Sequence, residues 1–251
     1  MNDLHYSFIN NNQPVVLLIH GFLGSMEQWK YIEQDLLTTH SLLKIDLPGH
    51  GKTLEFKEDY TLEKLSLKID QILMIEKIEK IHVVGHSMGG YLGCAFAKAR
   101  PEKTRSLTLI NSIASNDTEQ RKQIRDRSIQ LIEKHQAAYV SMAIGNLFTV
   151  EERKLYETRI SLMKQQADKI SIRSIIQALK CMRDRSDYLP LLKEVDFPIT
   201  YLCGQQDEIV PVELVERERV HLRANTRIID NGHMSLLINP LDILKNMYFI
   251  D

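Results

Sequence analysis

Only three cysteines stand in 251 residues, Cys94, Cys181 and Cys203, far apart and with no Cys-x-x-Cys pair. That scarcity excludes a disulfide framework and offers no zinc-ligand spacing. The thiols read instead as small buried hydrophobes. Positive charge is not in excess either, since 32 Lys+Arg face 33 Asp+Glu for a formal net charge of −1. A phosphate-binding surface needs a basic surplus, so no nucleic-acid partner is expected. No apolar run approaches the roughly 20 residues of a membrane helix. Residues 1–13 are polar and carry no basic segment leading into an apolar one. No signal peptide or membrane association is therefore expected, and the cytoplasm is the expected location. What is present is ordinary for a globular domain: 43% hydrophobic and 26% charged residues. A chain of this length can bury roughly three quarters of its unfolded surface.

Short β-branched apolar runs alternate with longer helical patterns. The pattern predicts strands over 4–9, 15–19, 42–45, 81–84, 107–110, 199–203 and 226–229, and helices over 26–37, 62–78, 88–99, 212–221 and 235–248. Asn10-Asn11-Asn12 before Pro14 reads as a turn, which predicts an antiparallel hairpin of the first two strands. Strands separated by helices imply right-handed crossovers and a mostly parallel sheet flanked by helices, an α/β fold. The alternation stops over 113–187, a helical stretch with fourteen basic and ten acidic residues. It reads as a helical cap (lid) inserted into a core formed by 1–112 and 188–251. Its charges suit solvated helix faces, or a slightly basic lid that favours anionic substrates.

Glycine is scarce, 11 residues, and its placement is informative. All but Gly145 fall in five short segments, each just past the carboxyl end of a predicted strand or at the start of the next helix. Ligands of open parallel sheets bind along that edge. The strongest motif there is Gly85-His86-Ser87-Met88-Gly89, which matches G-x-S-x-G between a predicted strand and a predicted helix. A serine at such a turn has a strained backbone and presents its hydroxyl above the sheet, which makes Ser87 the candidate nucleophile.

A serine hydroxyl needs a base at neutral pH, normally a histidine. His233 lies between the last strand and the last helix, on the required edge. His50 sits there in a tight glycine turn and reads as structural, while His20 and His86 read as braces for neighbouring loops. An acid must orient the base. Asp207, following the strand over 199–203, is placed for it; Glu208 would diverge from it, and Asp230 sits at a strand end. The backbone N–H of Met88 and that of Phe22, in the loop after 15–19, are the candidate donors for an oxyanion. Gly21, Leu23 and His86 are expected to line the substrate pocket. Met142, Phe148, Met163 and Met182 are candidates for its far wall, or for the core of the cap.

His20-Gly21-Phe22-Leu23-Gly24-Ser25 with Trp29, Asp46-Leu47-Pro48-Gly49-His50-Gly51, Gly85-His86-Ser87-Met88-Gly89-Gly90, Gly204 to Asp207 and Gly232-His233 occur in that order. Together they resemble the α/β-hydrolase superfamily, in particular its small cap-bearing esterase-like members. The resemblance covers nearly all of the chain outside the cap. It implies a Ser-His-Asp hydrolase acting on a small-molecule carboxylic ester, thioester or lactone through an acyl-serine, with no cofactor and no metal. Relatives of this fold that use an elbow aspartate are excluded by Ser87. The Asp-Leu-Pro-Gly-His-Gly segment and the length also resemble the menaquinone-pathway lyase branch. That branch usually has an arginine four residues after the serine and an aromatic residue before it, positions held here by Tyr91 and His86; the cap's arginines, among them Arg121, Arg125 and Arg127, are the candidates for anion contacts instead. A ligand-sensing receptor with vestigial hydrolysis is the third class compatible with these motifs. Oligomeric state is not encoded in any of them.

Overall fold

The computed structural model describes residues 3–247 and 249. Its strands are β1 (Tyr6–Ile9), β2 (Val15–Ile19), β3 (Ser41–Ile45), β4 (Ile81–His86), β5 (Thr104–Ile110), β6 (Ile199–Gly204) and β7 (Asn225–Ile229). They form one sheet in the order β1-β3-β2-β4-β5-β6-β7, parallel except at β1. The central strands are buried along almost their whole length, the mark of a parallel sheet covered on both faces. Alternate side chains divide between two cores. Leu17, Ile19, Val83 and Leu107 face one core, with α2 (Leu62–Ile75) and α3 (Met88–Ala99); Val16, Leu18, Val84 and Leu202 face the other, with Trp29 and Ile243.

The expected hairpin of the first two strands is not formed. β1 pairs antiparallel with β3, Tyr6 opposite Ile45, while β2 lies between β3 and β4. With both edges of β2 taken, β1 has only the outer edge of β3 to join. The asparagine turn serves that arrangement, because Asn11 Nδ2 donates to the Leu37 and His40 carbonyls just ahead of β3.

Three helices also differ from their sequence pattern. The segment 26–37 is a 3₁₀ turn over Met26–Tyr31 and a short α1 (Glu33–Leu36). The last helix is split into α10 (Ser235–Ile238) and α11 (Pro240–Asn246), because Pro240 has no N–H to continue the first piece and suits the start of the second. Tyr248, the expected end of that helix, lies outside the described residues. α2 (Leu62–Ile75) ends three residues earlier than its pattern.

Between β5 and β6 run α4 (Glu119–Gly145, with non-helical backbone at His135), α5 (Val150–Leu155), α6 (Glu157–Ala167) and α7 (Ile172–Arg183), with α4 packed against α6 and α7. The short α8 (Leu189–Leu192) leads into β6, and α9 (Val212–Leu222) joins β6 to β7. Among the described residues no helix is long and apolar enough to cross a membrane.

The end of α2 generates a stability test. Lys77 has φ 57°, its N–H donates to the Met74 carbonyl, and the Ile78 N–H donates to Leu73. This is a Schellman ending with lysine where glycine is favoured. Lys77→Gly is expected to stabilise the fold by about 0.5–1 kcal/mol, since removing the left-handed strain outweighs the added chain entropy. Urea denaturation checks this; an unchanged or lowered midpoint would contradict it.

Candidate active site

Ser87 is the single residue between β4 and α3, with φ 52° and ψ −118°. A non-glycine residue holds that conformation only where its surroundings enforce it. Its N–H donates to the Ile110 carbonyl at 2.9 Å and its own carbonyl accepts from Ser112 Oγ at 2.8 Å. Two residues on, a Cβ at Gly89 would lie 2.2 Å from the Ile19 carbonyl oxygen. Only glycine lets α3 start this close to β2.

His233 comes from the loop after β7 and Asp207 from the loop after β6. His233 Nε2 is 2.9 Å from Ser87 Oγ, and His233 Nδ1 is 2.7 Å from Asp207 Oδ2. Both the imidazole and the carboxylate are buried. Asp207 Oδ1 accepts from the Ile209 and Val210 N–H groups, and Oδ2 also accepts from Asn111 Nδ2 at 3.0 Å. Burial pushes the Asp207 carboxyl up, but His233, the Val210 N–H and the Asn111 amide outweigh it and hold the carboxyl below its usual range. Glu208, next to Asp207, lines the cavity instead, and Asp230 accepts from Gln206 Nε2 at the surface.

The other histidines of this edge are buried, and three of them are neutral braces. His86 is pushed down to about 3 by burial and by His233 beside it. Its Nε2 therefore carries the proton and donates to the His233 carbonyl at 3.0 Å. A Cβ at Gly21 would lie 2.8 Å from His86 Nδ1, so the Gly21 loop packs directly on that ring. His50 is pushed down to about 4 by burial and by His20, and its Nε2 accepts from the Leu23 N–H. His20, also lowered by burial, donates from Nδ1 to the Gly21 carbonyl and accepts at Nε2 from the Leu47 N–H. With the Leu23 amide engaged and the Gly24 N–H donating to Gly21, the Phe22 N–H is left without a partner among the described residues. The Met88 N–H, first of α3, has no acceptor within its own helix.

A cavity of about 330 Å³ opens on Ser87. Gly21, Phe22, Leu23 and His86 line it at the sheet edge, and Met142, Met163 and Met182 line its far wall. Phe148 does not; it faces a separate cavity behind the 146–151 segment. One contributor escaped the sequence pattern. Asn111, at the carboxyl end of β5 with φ 47°, braces Asp207, and its position on the carboxyl edge was a usable signal. Of the cap arginines, Arg121 and Arg125 of α4 reach the cavity wall, both paired with Asp117, while Arg127 does not line it. Among the described residues no group of three or more His, Cys, Asp or Glu could hold a metal ion.

A hydroxyl, an imidazole and an ionised carboxylate in line, beside unpartnered amides at a helix start, can perform acyl transfer or proton abstraction. Residues 14–240 match the model of the alpha/beta hydrolase fold family. The chain belongs to that family. Within it, the chain is 28% identical over 209 residues to "Putative 2-succinyl-6-hydroxy-2,4-cyclohexadiene-1-carboxylate synthase" of Bacillus subtilis (strain 168), covering 79% of this chain and 75% of that protein. It superimposes on a thermophilic esterase from Thermogutta terrifontis with a TM-score of 0.88 at 24% identity, over 96% of this chain and 90% of that one. The enol-lactonase from Burkholderia xenovorans LB400 gives 0.87 at 18% identity, over 96% and 93%. At these identities the two structures share the alpha/beta hydrolase fold with this chain and argue nothing about its substrate.

The low-lying Asp207 carboxyl sets a pH test. A group whose folded value is depressed adds stability above its unfolded value, and that stability is lost as pH falls through the folded value. Asp207→Asn is expected to destabilise the fold at pH 7, with the gap to wild type shrinking as pH drops below about 4. Urea denaturation of both proteins across that range checks it, and a gap independent of pH would contradict it.

Proposed function

We propose that the protein is a serine hydrolase of carboxylic esters, thioesters or lactones that works through an acyl-serine. The observation that carries this reading is the continuous line Asp207–His233–Ser87, at 2.7 and 2.9 Å, opening on a cavity. Ser87 Oγ attacks the substrate carbonyl while His233 Nε2 takes its proton. Asp207 holds the Nδ1–H tautomer and balances the imidazolium that forms. The tetrahedral oxyanion accepts from the Phe22 and Met88 N–H groups. His233 returns the proton to the departing oxygen or sulfur, leaving acyl-Ser87. Water, deprotonated by His233, then releases the acid.

A second reading has one observation in its favour. Arg125 stands at the cavity wall, and its Nη groups bond no described residue. A cation there suits a carboxylate-bearing substrate, and the Bacillus subtilis relative is named as a putative synthase of a carboxylate. In that reading His233 and Ser87 abstract a proton and an anionic group is eliminated. Tyr91 lines the same wall, under the Arg185 guanidinium at 3.9 Å.

Hydrolysis of p-nitrophenyl esters from acetate to decanoate separates the readings. The expected result is turnover that rises beyond acetate, as the methionine wall admits longer acyl chains, and falls on the order of 10³-fold or more in Ser87→Ala. A wild type with no ester turnover whose Ser87 is still labelled by a fluorophosphonate would favour the lyase. Neither turnover nor labelling would overturn both.

A further inference from the structure

Four contacts fix the backbone around His233, and two of them come from the helical insertion. On the sheet side, His86 Nε2 donates to the His233 carbonyl at 3.0 Å and Asn111 Nδ2 donates to the Gly232 carbonyl at 3.3 Å. From the insertion, the Leu147 carbonyl accepts the His233 N–H at 3.0 Å, and Glu152 Oε1 accepts the Gly232 N–H at 2.9 Å. Glu152 has a local duty as well. Its Oε2 accepts from the Thr149 N–H at 2.8 Å, and Thr149 Oγ1 accepts from the Glu152 N–H at 3.1 Å, a capping box at the start of α5. A capping box uses one carboxylate oxygen. The second oxygen of a buried carboxylate is costly unless it too is bonded, and Glu152 is 7% exposed. Its second partner lies 80 residues away, on the residue before His233.

We infer that Glu152 is a positioning residue for His233, tying the helical insertion to the loop that carries the base. This rests on the reading of Ser87, His233 and Asp207 as an acyl-transfer triad. While the 147–152 segment is seated, the Gly232 and His233 N–H groups are both held and the imidazole stays within reach of Ser87 Oγ. When that segment lifts, both bonds are lost together and only the sheet-side contacts remain. Activation of the nucleophile is thereby coupled to closure of the insertion over the cavity.

The test compares Glu152→Leu and Glu152→Gln with Thr149→Val, a control that removes the other half of the capping box and keeps the carboxylate on Gly232. The readouts are the rate at which a fluorophosphonate labels Ser87, the kcat and KM for a p-nitrophenyl ester, and the melting temperature. Glu152→Leu is expected to slow labelling and lower kcat on the order of 10- to 100-fold with KM within about threefold, the cost of a misplaced catalytic group. Glu152→Gln, which keeps an oxygen for the Gly232 N–H, is expected to recover most of that loss. Thr149→Val is expected to lower the melting temperature while labelling stays within about twofold of wild type. Wild-type labelling in Glu152→Leu would overturn the proposal, as would an equal loss in Thr149→Val. If Glu152→Leu does not fold, Glu152→Asp, one methylene short of Gly232, decides in the same terms: a fall in kcat supports the proposal and wild-type kcat overturns it. Absence of labelling in the wild type, or labelling that survives Ser87→Ala, would instead overturn the underlying reading of the site.

Discussion

Holding a serine at φ 52° costs on the order of 1–3 kcal/mol, and contacts along the carboxyl edge of the sheet hold Ser87 there. The β4–β5 register, with His86 opposite Ile110, delivers the Ser87 N–H to the Ile110 carbonyl. Ser112 then holds the Ser87 carbonyl. Beyond the turn, α3 is drawn onto the sheet by Leu92, Phe96 and other fully buried side chains. Each large apolar side chain contributes about 1.5–3 kcal/mol on burial, so two or three of them offset the strain of the turn. Gly89 is where the two requirements meet, because α3 reaches its packed position only with no side chain against Ile19.

Around that turn, burial selects which groups carry charge. The His86 ring lies 5.3 Å from the His233 ring. A cation there would oppose an imidazolium on His233 by about 3 kcal/mol at an effective dielectric of 20. Burial keeps His86 neutral and so removes that opposition, and it does the same for His20 and His50 behind the Gly21 loop. Asp207, by contrast, gathers four donors and stays ionised against the same burial. The His233 imidazole thus faces one fixed anion and several neutral dipoles.

Much of this was legible in the sequence because it is local. The Ser87 turn, the Gly21 loop and the segments around Asp207 and His233 each sit directly after a strand, and a parallel sheet brings such loops together whatever lies between them. The three residues singled out on that basis are hydrogen-bonded to one another. Pairings that depend on competition between distant segments were not legible. Adjacency in sequence pairs β1 with β2, yet β2 is claimed on both sides by the parallel strands β3 and β4. Nothing in the sequence singles out Glu152, since its bond to Gly232 depends on how the insertion seats on the core. Asn111 was visible by position but carries no motif, and its value lies wholly in where Asp207 arrives.

The cavity divides along the same line. Its sheet edge is built from the segments that carry Gly21, Ser87 and His233. Its far wall belongs to α4, α6 and α7, whose packing the motifs do not encode. There Asp117 binds Arg125 and the fully buried Arg185, while Arg121 lies within ion-pair distance of it. Three guanidinium groups about one carboxylate leave positive charge in excess, and Arg125 presents part of it to the cavity. Beside it stand the side chains of Met142, Met163 and Met182, unbranched and polarizable enough to fit varied apolar shapes. An apolar group would gain from the methionines but would have to desolvate the cation without return. A molecule with both an apolar body and a terminal carboxylate would gain from both, and α4, which carries Arg125 and Met142, holds the two sides of that balance.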